Sequence, residues 1–203
     1  VRIIAGQFRR RKLLANTGLT TRPITDRAKE QLFENLGGEL HGERVADIFS
    51  GTGSLGLEAL SRGASRVVCI EKDRRGFELL KQNVATLGAE DRVFCWKADV
   101  FRCSFQPKGI SGYLPFDLIF FDPPFPLLKK LKAGSPMYAA LERLARDTIS
   151  APDALMILRV PTHPEYEMPD DWRLDWTLPL SNMEMHAYRK AEFRPAADSA
   201  ESE

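Results

Sequence analysis

From residue 45 onward the chain alternates short apolar runs with longer stretches of helical spacing, and no other feature narrows its fold as much. The apolar runs are residues 45–49, 67–71, 93–97, 116–121 and 155–160. Each has the length of a strand and almost no polar alternation, as expected where both faces of a strand are covered. Residues 55–62, 73–87 and 137–149 repeat their apolar positions at helical intervals instead. This order predicts an α/β fold, a Rossmann-like parallel sheet with helices on both sides. Runs 172–178 and 185–192 follow one another without a helix between them, so at least one is expected to run antiparallel. With the five runs above they make a seven-stranded sheet.

Ahead of this region, residues 2–8 and 12–15 read as two short strands around the turn Arg9-Arg10-Arg11-Lys12. A helix follows, with Thr25 as its cap, Asp26 in its first turn, an apolar stripe of Ala28, Leu32, Phe33 and Leu36, and a stop at Gly37-Gly38. At 203 residues and 43% hydrophobic content the chain can bury one sizeable core but not two full domains. The expected division is an N-terminal hairpin and helix over 1–39, a catalytic domain over 40–194, and a disordered acidic tail over 195–203.

Net charge is +1, which neither demands nor excludes a polyanionic partner. Its distribution is uneven. Residues 1–30 hold Arg2, Arg9, Arg10, Arg11, Lys12, Arg22, Arg27 and Lys29 against only Asp26 and Glu30. The three cysteines form no Cys-x-x-Cys pair and no metal-type spacing with a histidine, so no zinc site and a reducing compartment are expected. No run resembles a signal peptide or a membrane span, and the expected location is the cytoplasm.

The first strand opens into Asp47-Ile48-Phe49-Ser50-Gly51-Thr52-Gly53-Ser54-Leu55-Gly56. Its Gly-x-Gly-x-x-Gly string fits a dinucleotide site, with a pyrophosphate on the helix N-terminus. Asp47 argues against that reading, because a carboxylate feeding the same loop repels a pyrophosphate and attracts the ammonium and sulfonium charges of S-adenosylmethionine. Asp47, Ser50, Gly51, Thr52, Gly53 and Gly56 are the loop residues expected to hold that methyl donor. Glu71, followed by Lys72, ends the second strand and can accept hydrogen bonds from ribose hydroxyls, a device that nicotinamide enzymes share. Ala98-Asp99-Val100 follows the third strand, where Asp99 can accept from an adenine amino group or cap a helix.

Asp122-Pro123-Pro124-Phe125 directly follows the fourth apolar run. A strand ending this way, downstream of such a loop, resembles the [DN]-P-P-[YFW] motif of amino-group methyltransferases. The lone pair of an exocyclic base amine is delocalised into the ring, so methylation needs acceptors that hold the N–H groups and draw the nitrogen towards a tetrahedral shape. The Asp122 side chain and the Pro123 carbonyl can be those acceptors, in a backbone fixed by two prolines of which Pro124 adds no competing donor. Phe125 offers a face on which an extruded base can stack. Guanine presents adjacent donors at its ring N1 and its 2-amino group, which suits a carboxylate; adenine places an acceptor beside its amine.

The opening Arg2-Ile-Ile-Ala-Gly-Gln-Phe-Arg-Arg-Arg-Lys-Leu, the segment Arg22-Pro23-Ile24-Thr25-Asp26-Arg27, the loop from Asp47 to Glu58 and the tetrapeptide from Asp122 to Phe125 together resemble the RsmD family of bacterial 16S ribosomal RNA guanine-N2 methyltransferases. That resemblance implies a methyltransferase sheet, S-adenosylmethionine as donor, and action on 16S ribosomal RNA in an assembled small subunit; a monomer is the expected state. It also implies that the basic hairpin holds RNA, through Arg9, Arg10, Arg11 and Lys12 on phosphates, with Arg22 and Thr25 beside the donor or the target base. The family pattern has Trp and Gly where this chain has Phe8 and Arg10. Methylation of adenine N6 or of a glutamine amide fits the same motif. A nicotinamide oxidoreductase is favoured by the glycines and opposed by Asp47, and a non-catalytic RNA-binding module is favoured by the arginine turn and opposed by Asp122 to Phe125.

Overall fold

The computed structural model describes residues 1–15 and 24–191. Arg22 and the tail from residue 195 lie outside the described residues. Seven strands, β1 (Arg44–Ile48), β2 (Arg66–Glu71), β3 (Val93–Lys97), β4 (Phe116–Phe121), β5 (Ser150–Pro161), β6 (Trp172–Pro179) and β7 (Met183–Lys190), form one sheet in the order β3-β2-β1-β4-β5-β7-β6. Each pairing among β1 to β5 is parallel, and β7 runs antiparallel to both β5 and β6. The reversal follows from chain length, because the three residues between β6 and β7 can close a hairpin but not a parallel crossover.

Successive strand residues point to opposite faces, and both faces are covered. Val67 and Cys69 of β2 and Leu118 and Phe120 of β4 pack into a core shared with α1 (Asp26–Asn35), α2 (Ser54–Ser61) and α3 (Arg74–Leu87). Val68, Ile70, Ile119 and Phe121 pack on the other side with α4 (Phe125–Leu128) and α5 (Pro136–Leu144). This is why the strands read as unbroken apolar runs. α1 is capped by Thr25, whose hydroxyl accepts from the Ala28 N–H at 3.2 Å.

Three elements depart from the sequence reading. The N-terminal hairpin has one bridge, Arg2 with Lys12, instead of two strands. Backbone bonds still cross it, from the Ile3 N–H to the Arg11 carbonyl at 2.9 Å and from the Leu13 N–H to the Val1 carbonyl at 3.0 Å, while the Ile4 and Ala5 N–H groups donate to the Glu58 carboxylate of α2, at 2.9 and 3.1 Å. Gly6 explains how the segment comes so near, since a Cβ there would lie 1.7 Å from the Ser61 carbonyl oxygen. The last major helix, α5, stops at Leu144 and not at 149, because Ser150 pairs with Phe116 at the start of β5. The four-residue α4 was hidden by its prolines, which suit a helix's first turn and obscure it to a reader looking for breakers.

Candidate active site

Strand order reverses between β1 and β4, which are hydrogen-bonded neighbours although β2 and β3 intervene in sequence. Ligands of open α/β sheets bind outside the carboxyl ends of the strands at such a point. Here the glycine loop leaves β1 and the proline tetrapeptide leaves β4, tied by the Asp122 N–H donating to the Ile48 carbonyl at 3.1 Å. The two segments line one cleft of about 1410 Å³.

On the loop side, Asp47 is 1% exposed and lines the cleft floor. Its Oδ2 accepts from the Gly56 N–H at 2.8 Å, and burial pushes its carboxyl up to about 7, against the opposing pull of that bond. Gly56 serves packing: a Cβ there would lie 2.9 Å from a Val67 methyl and 3.0 Å from the Asp47 Cβ. Phe49 takes a left-handed φ of 62° and lines the cleft, with its ring edge-on to Phe121. Such a backbone conformation is uncommon outside glycine and is found disproportionately at functional sites. Ser50, Gly51 and Thr52 also line the cleft. The Ser50 and Ser54 hydroxyls are buried there without a hydrogen-bond partner among the described residues. Buried polar atoms in this state call for a ligand or water.

Glu71 braces the loop: Oε2 accepts from the Gly51 N–H at 2.8 Å and Oε1 from the Asp73 N–H at 2.6 Å. It still lines the cleft. Asp99 is placed differently. It pairs with Lys72 at 2.9 Å and accepts from the Phe101 N–H at 3.1 Å, and the Lys72 ammonium holds its carboxyl below the usual range. Lys72, Ala98, Asp99 and Val100 are not among the described residues that line the cleft, nor is Gly53, which caps α2.

Opposite the loop stand Asp122, Pro123, Pro124 and Phe125. The Asp122 Oδ1 accepts from Arg159 Nε at 2.6 Å, with the two side chains 16% and 12% exposed. Burial pushes the Asp122 carboxyl up, and the Arg159 guanidinium pulls it back. The same guanidinium lies 5.6 Å from the Phe125 ring centroid. Sequence reading missed Arg159, although the signal was present. It follows the apolar stretch Ala154 to Leu158 in a strand covered on both faces, and a charge there needs a partner.

Thr25 lines the far wall together with Arg27 and Gln31 of α1, and Ser181 and Asn182 of the β6–β7 turn add to it. None of these four neighbours was expected at the site from sequence, although Arg27 belongs to the motif that ends at it. Arg9, Arg10, Arg11 and Lys12 are exposed, and no carboxylate among the described residues pairs with them. Their turn is not brought to the cleft. The adjoining Gln7 and Phe8 bond to Ser61 at the end of α2, whereas the cleft lies at its start. An eight-residue helix separates the two by about 12 Å.

The family described as conserved hypothetical protein 95 matches residues 1–177. Ribosomal RNA small subunit methyltransferase D of Haemophilus influenzae is 34% identical over 176 residues, covering 86% of each chain. The chain belongs to the RsmD family. Another relative, YlbH of Bacillus subtilis, is 35% identical over 72% of this chain and 78% of its own. The solved structure of yhhF from Escherichia coli superposes with a TM-score of 0.75 at 31% identity, covering 94% of this chain and 97% of that one. An RsmD-family chain thus has its glycine loop and proline tetrapeptide in a single cleft.

Proposed function

We propose that this protein methylates the N2 amine of a guanine in 16S ribosomal RNA, with S-adenosylmethionine as donor. The observation that carries the reading is the shared cleft, in which a loop suited to the donor faces a tetrapeptide suited to a base amine. S-adenosylmethionine, when bound, supplies an electrophilic methyl group on a positively charged sulfur. The residues fit it: Asp47 and Glu71 give the loop negative charge, and the Ser50 and Ser54 hydroxyls are buried there with hydrogen bonds still to make.

On the substrate side, Asp122 accepts hydrogen bonds from the guanine amine and orients its nitrogen. Phe125 carries the flipped-out base on its ring, and the Pro123–Pro124 backbone holds both in place. The carboxylate is paired with Arg159, which favours its ionised, acceptor-only form. The exposed basic turn, one helix away from the cleft, suits a polyanion far larger than a nucleoside, as an assembled small subunit would be.

The test is methyl transfer by the purified protein from tritiated donor to small ribosomal subunits, naked ribosomal RNA, DNA and a release factor. Incorporation into the subunit's RNA is the expected result. Incorporation only into DNA or protein would replace the reading with one of the other amino-group substrates, and binding of NADH without binding of S-adenosylhomocysteine would replace it with an oxidoreductase.

A further inference from the structure

We propose that Arg159 is a positioning residue of this site, setting the separation and orientation of the amine acceptor Asp122 and the aromatic platform Phe125. The inference rests on the methyl-transfer reading above. β5 lies beside β4 with Leu158 opposite Phe121, so the residues that follow, Arg159 and Asp122, lie side by side at the carboxyl end of β4. The guanidinium then spans two parts of the tetrapeptide: Nε donates to Asp122 Oδ1 at 2.6 Å, and its central carbon stands 5.6 Å from the Phe125 ring centroid. Nε bonds at Oδ1, and an ionised carboxylate has acceptor capacity on both oxygens beyond a single such bond, so Asp122 can grip Arg159 and still accept from the incoming amine. A planar, permanently charged group can direct a fixed N–H at a carboxylate while its face lies against a ring, a geometry that the point charge of a lysine does not reproduce.

The cleft also gives Arg159 an electrostatic role. Asp47 from β1, Glu71 from β2 and Asp73 at the cap of α3 line it together with Asp122, and Arg27 and Arg75 stand on its α1 and α3 walls. Burial opposes ionisation of the Asp122 carboxyl. Arg159, directly bonded to Asp122, offsets that opposition where the amine must be held. Asp122 therefore remains an acceptor as RNA closes the cleft and excludes water.

Three proteins test this: wild type, Arg159→Gln and Arg159→Lys. The measurements are kcat against pH with small subunits, S-adenosylhomocysteine affinity by calorimetry, and the titration of the Asp122 carboxyl by carbon-13 NMR, which needs no turnover. In Arg159→Gln the Asp122 titration and the acid limb of kcat are expected to move up together by about one pH unit, so that kcat drops about tenfold on the acid side and recovers towards alkaline pH. Donor-product affinity should stay within about threefold of wild type, a change of under 1 kcal/mol. Arg159→Lys keeps the charge, so its limb should stay in place while kcat falls about threefold or more from the lost contact with Phe125. An unmoved Asp122 titration in Arg159→Gln, or full wild-type kcat in Arg159→Lys, overturns the assignment; the lysine variant decides alone if the glutamine variant does not fold. A wild-type protein without methyl transfer would refute the proposed function, while the Asp122 titration would still judge the link to Arg159.

Discussion

Asp47 and Asp122 close neighbouring strands, and both were legible in the sequence because each is an acid at the end of an apolar run. Their environments were not legible. Asp47 is held at about 7 by burial, far above its ordinary value of 3.8. In the absence of ligand it is therefore largely protonated on the acid side of neutrality. A cation placed beside it favours the carboxylate, so donor binding must expel that proton below pH 7 and need not above it. S-adenosylhomocysteine affinity is accordingly expected to fall by up to about tenfold per pH unit between roughly pH 7 and pH 5.5, and to level off just above 7. Calorimetry in buffers of different ionisation heat checks the proton release. Asp47→Asn should bind more weakly at neutral pH and lose this pH dependence; an unchanged pH slope in that variant would remove Asp47 from the donor site. Arg159 carried a signal, a charge in a strand covered on both faces, but its partner was not legible, lying 37 residues away where only strand pairing brings the two together.

Among the elements, the N-terminal segment is where sequence pattern and structure part most clearly. Its apolar residues and arginine turn read as two strands, yet its pairing is a single bridge, and the Ile4 and Ala5 N–H groups turn to the Glu58 carboxylate of α2. Glu58 also accepts from Lys29 of α1 at 3.0 Å and from Arg62 at 2.8 Å, and its side chain is fully buried. One carboxylate thereby joins the N-terminal segment, α1 and α2, and Ile3, Leu13 and Phe33 share the core of the sheet's first face. Removing one partner of a buried charge cluster leaves the others uncompensated, which costs about 3–5 kcal/mol. Glu58→Ala is therefore expected to lower unfolding free energy by about that amount in urea denaturation. A loss below about 1 kcal/mol would mean that the cluster contributes little beyond what water supplies to the same groups. The first four strands of the sheet were read to within a residue at each end, because coverage of both faces leaves an unmistakable apolar signature, whereas β5 begins five residues before its apolar run. Only the short α4 and the end of α5 depended on contacts that no local pattern records.

At the scale of the whole molecule, topology does what no single motif can. The glycine string alone fits several cofactors, and the tetrapeptide alone is a proline-rich strand end. Their placement on adjacent strands at the switch point makes them two walls of one cleft. The basic turn lies about one helix length from the cleft, so on the proposed function it is expected to give affinity for RNA without taking part in chemistry. Replacing Arg9, Arg10, Arg11 and Lys12 by glutamine should weaken subunit binding and flatten its log–log salt dependence by up to about three to four units, with S-adenosylhomocysteine affinity unchanged. An unaltered salt slope would move the RNA footprint elsewhere. Among the described residues no helix is long and apolar enough to cross a membrane. The central claim, that Asp122 presents a guanine amine to the donor, is tested most directly by nucleoside mass spectrometry of 16S ribosomal RNA from small subunits incubated with donor and either wild type or Asp122→Ala. The account predicts N2-methylguanosine at one position with wild type and none with the variant, while the variant still binds S-adenosylhomocysteine; equal methylation by both, or a methyl group on any other atom, would contradict it.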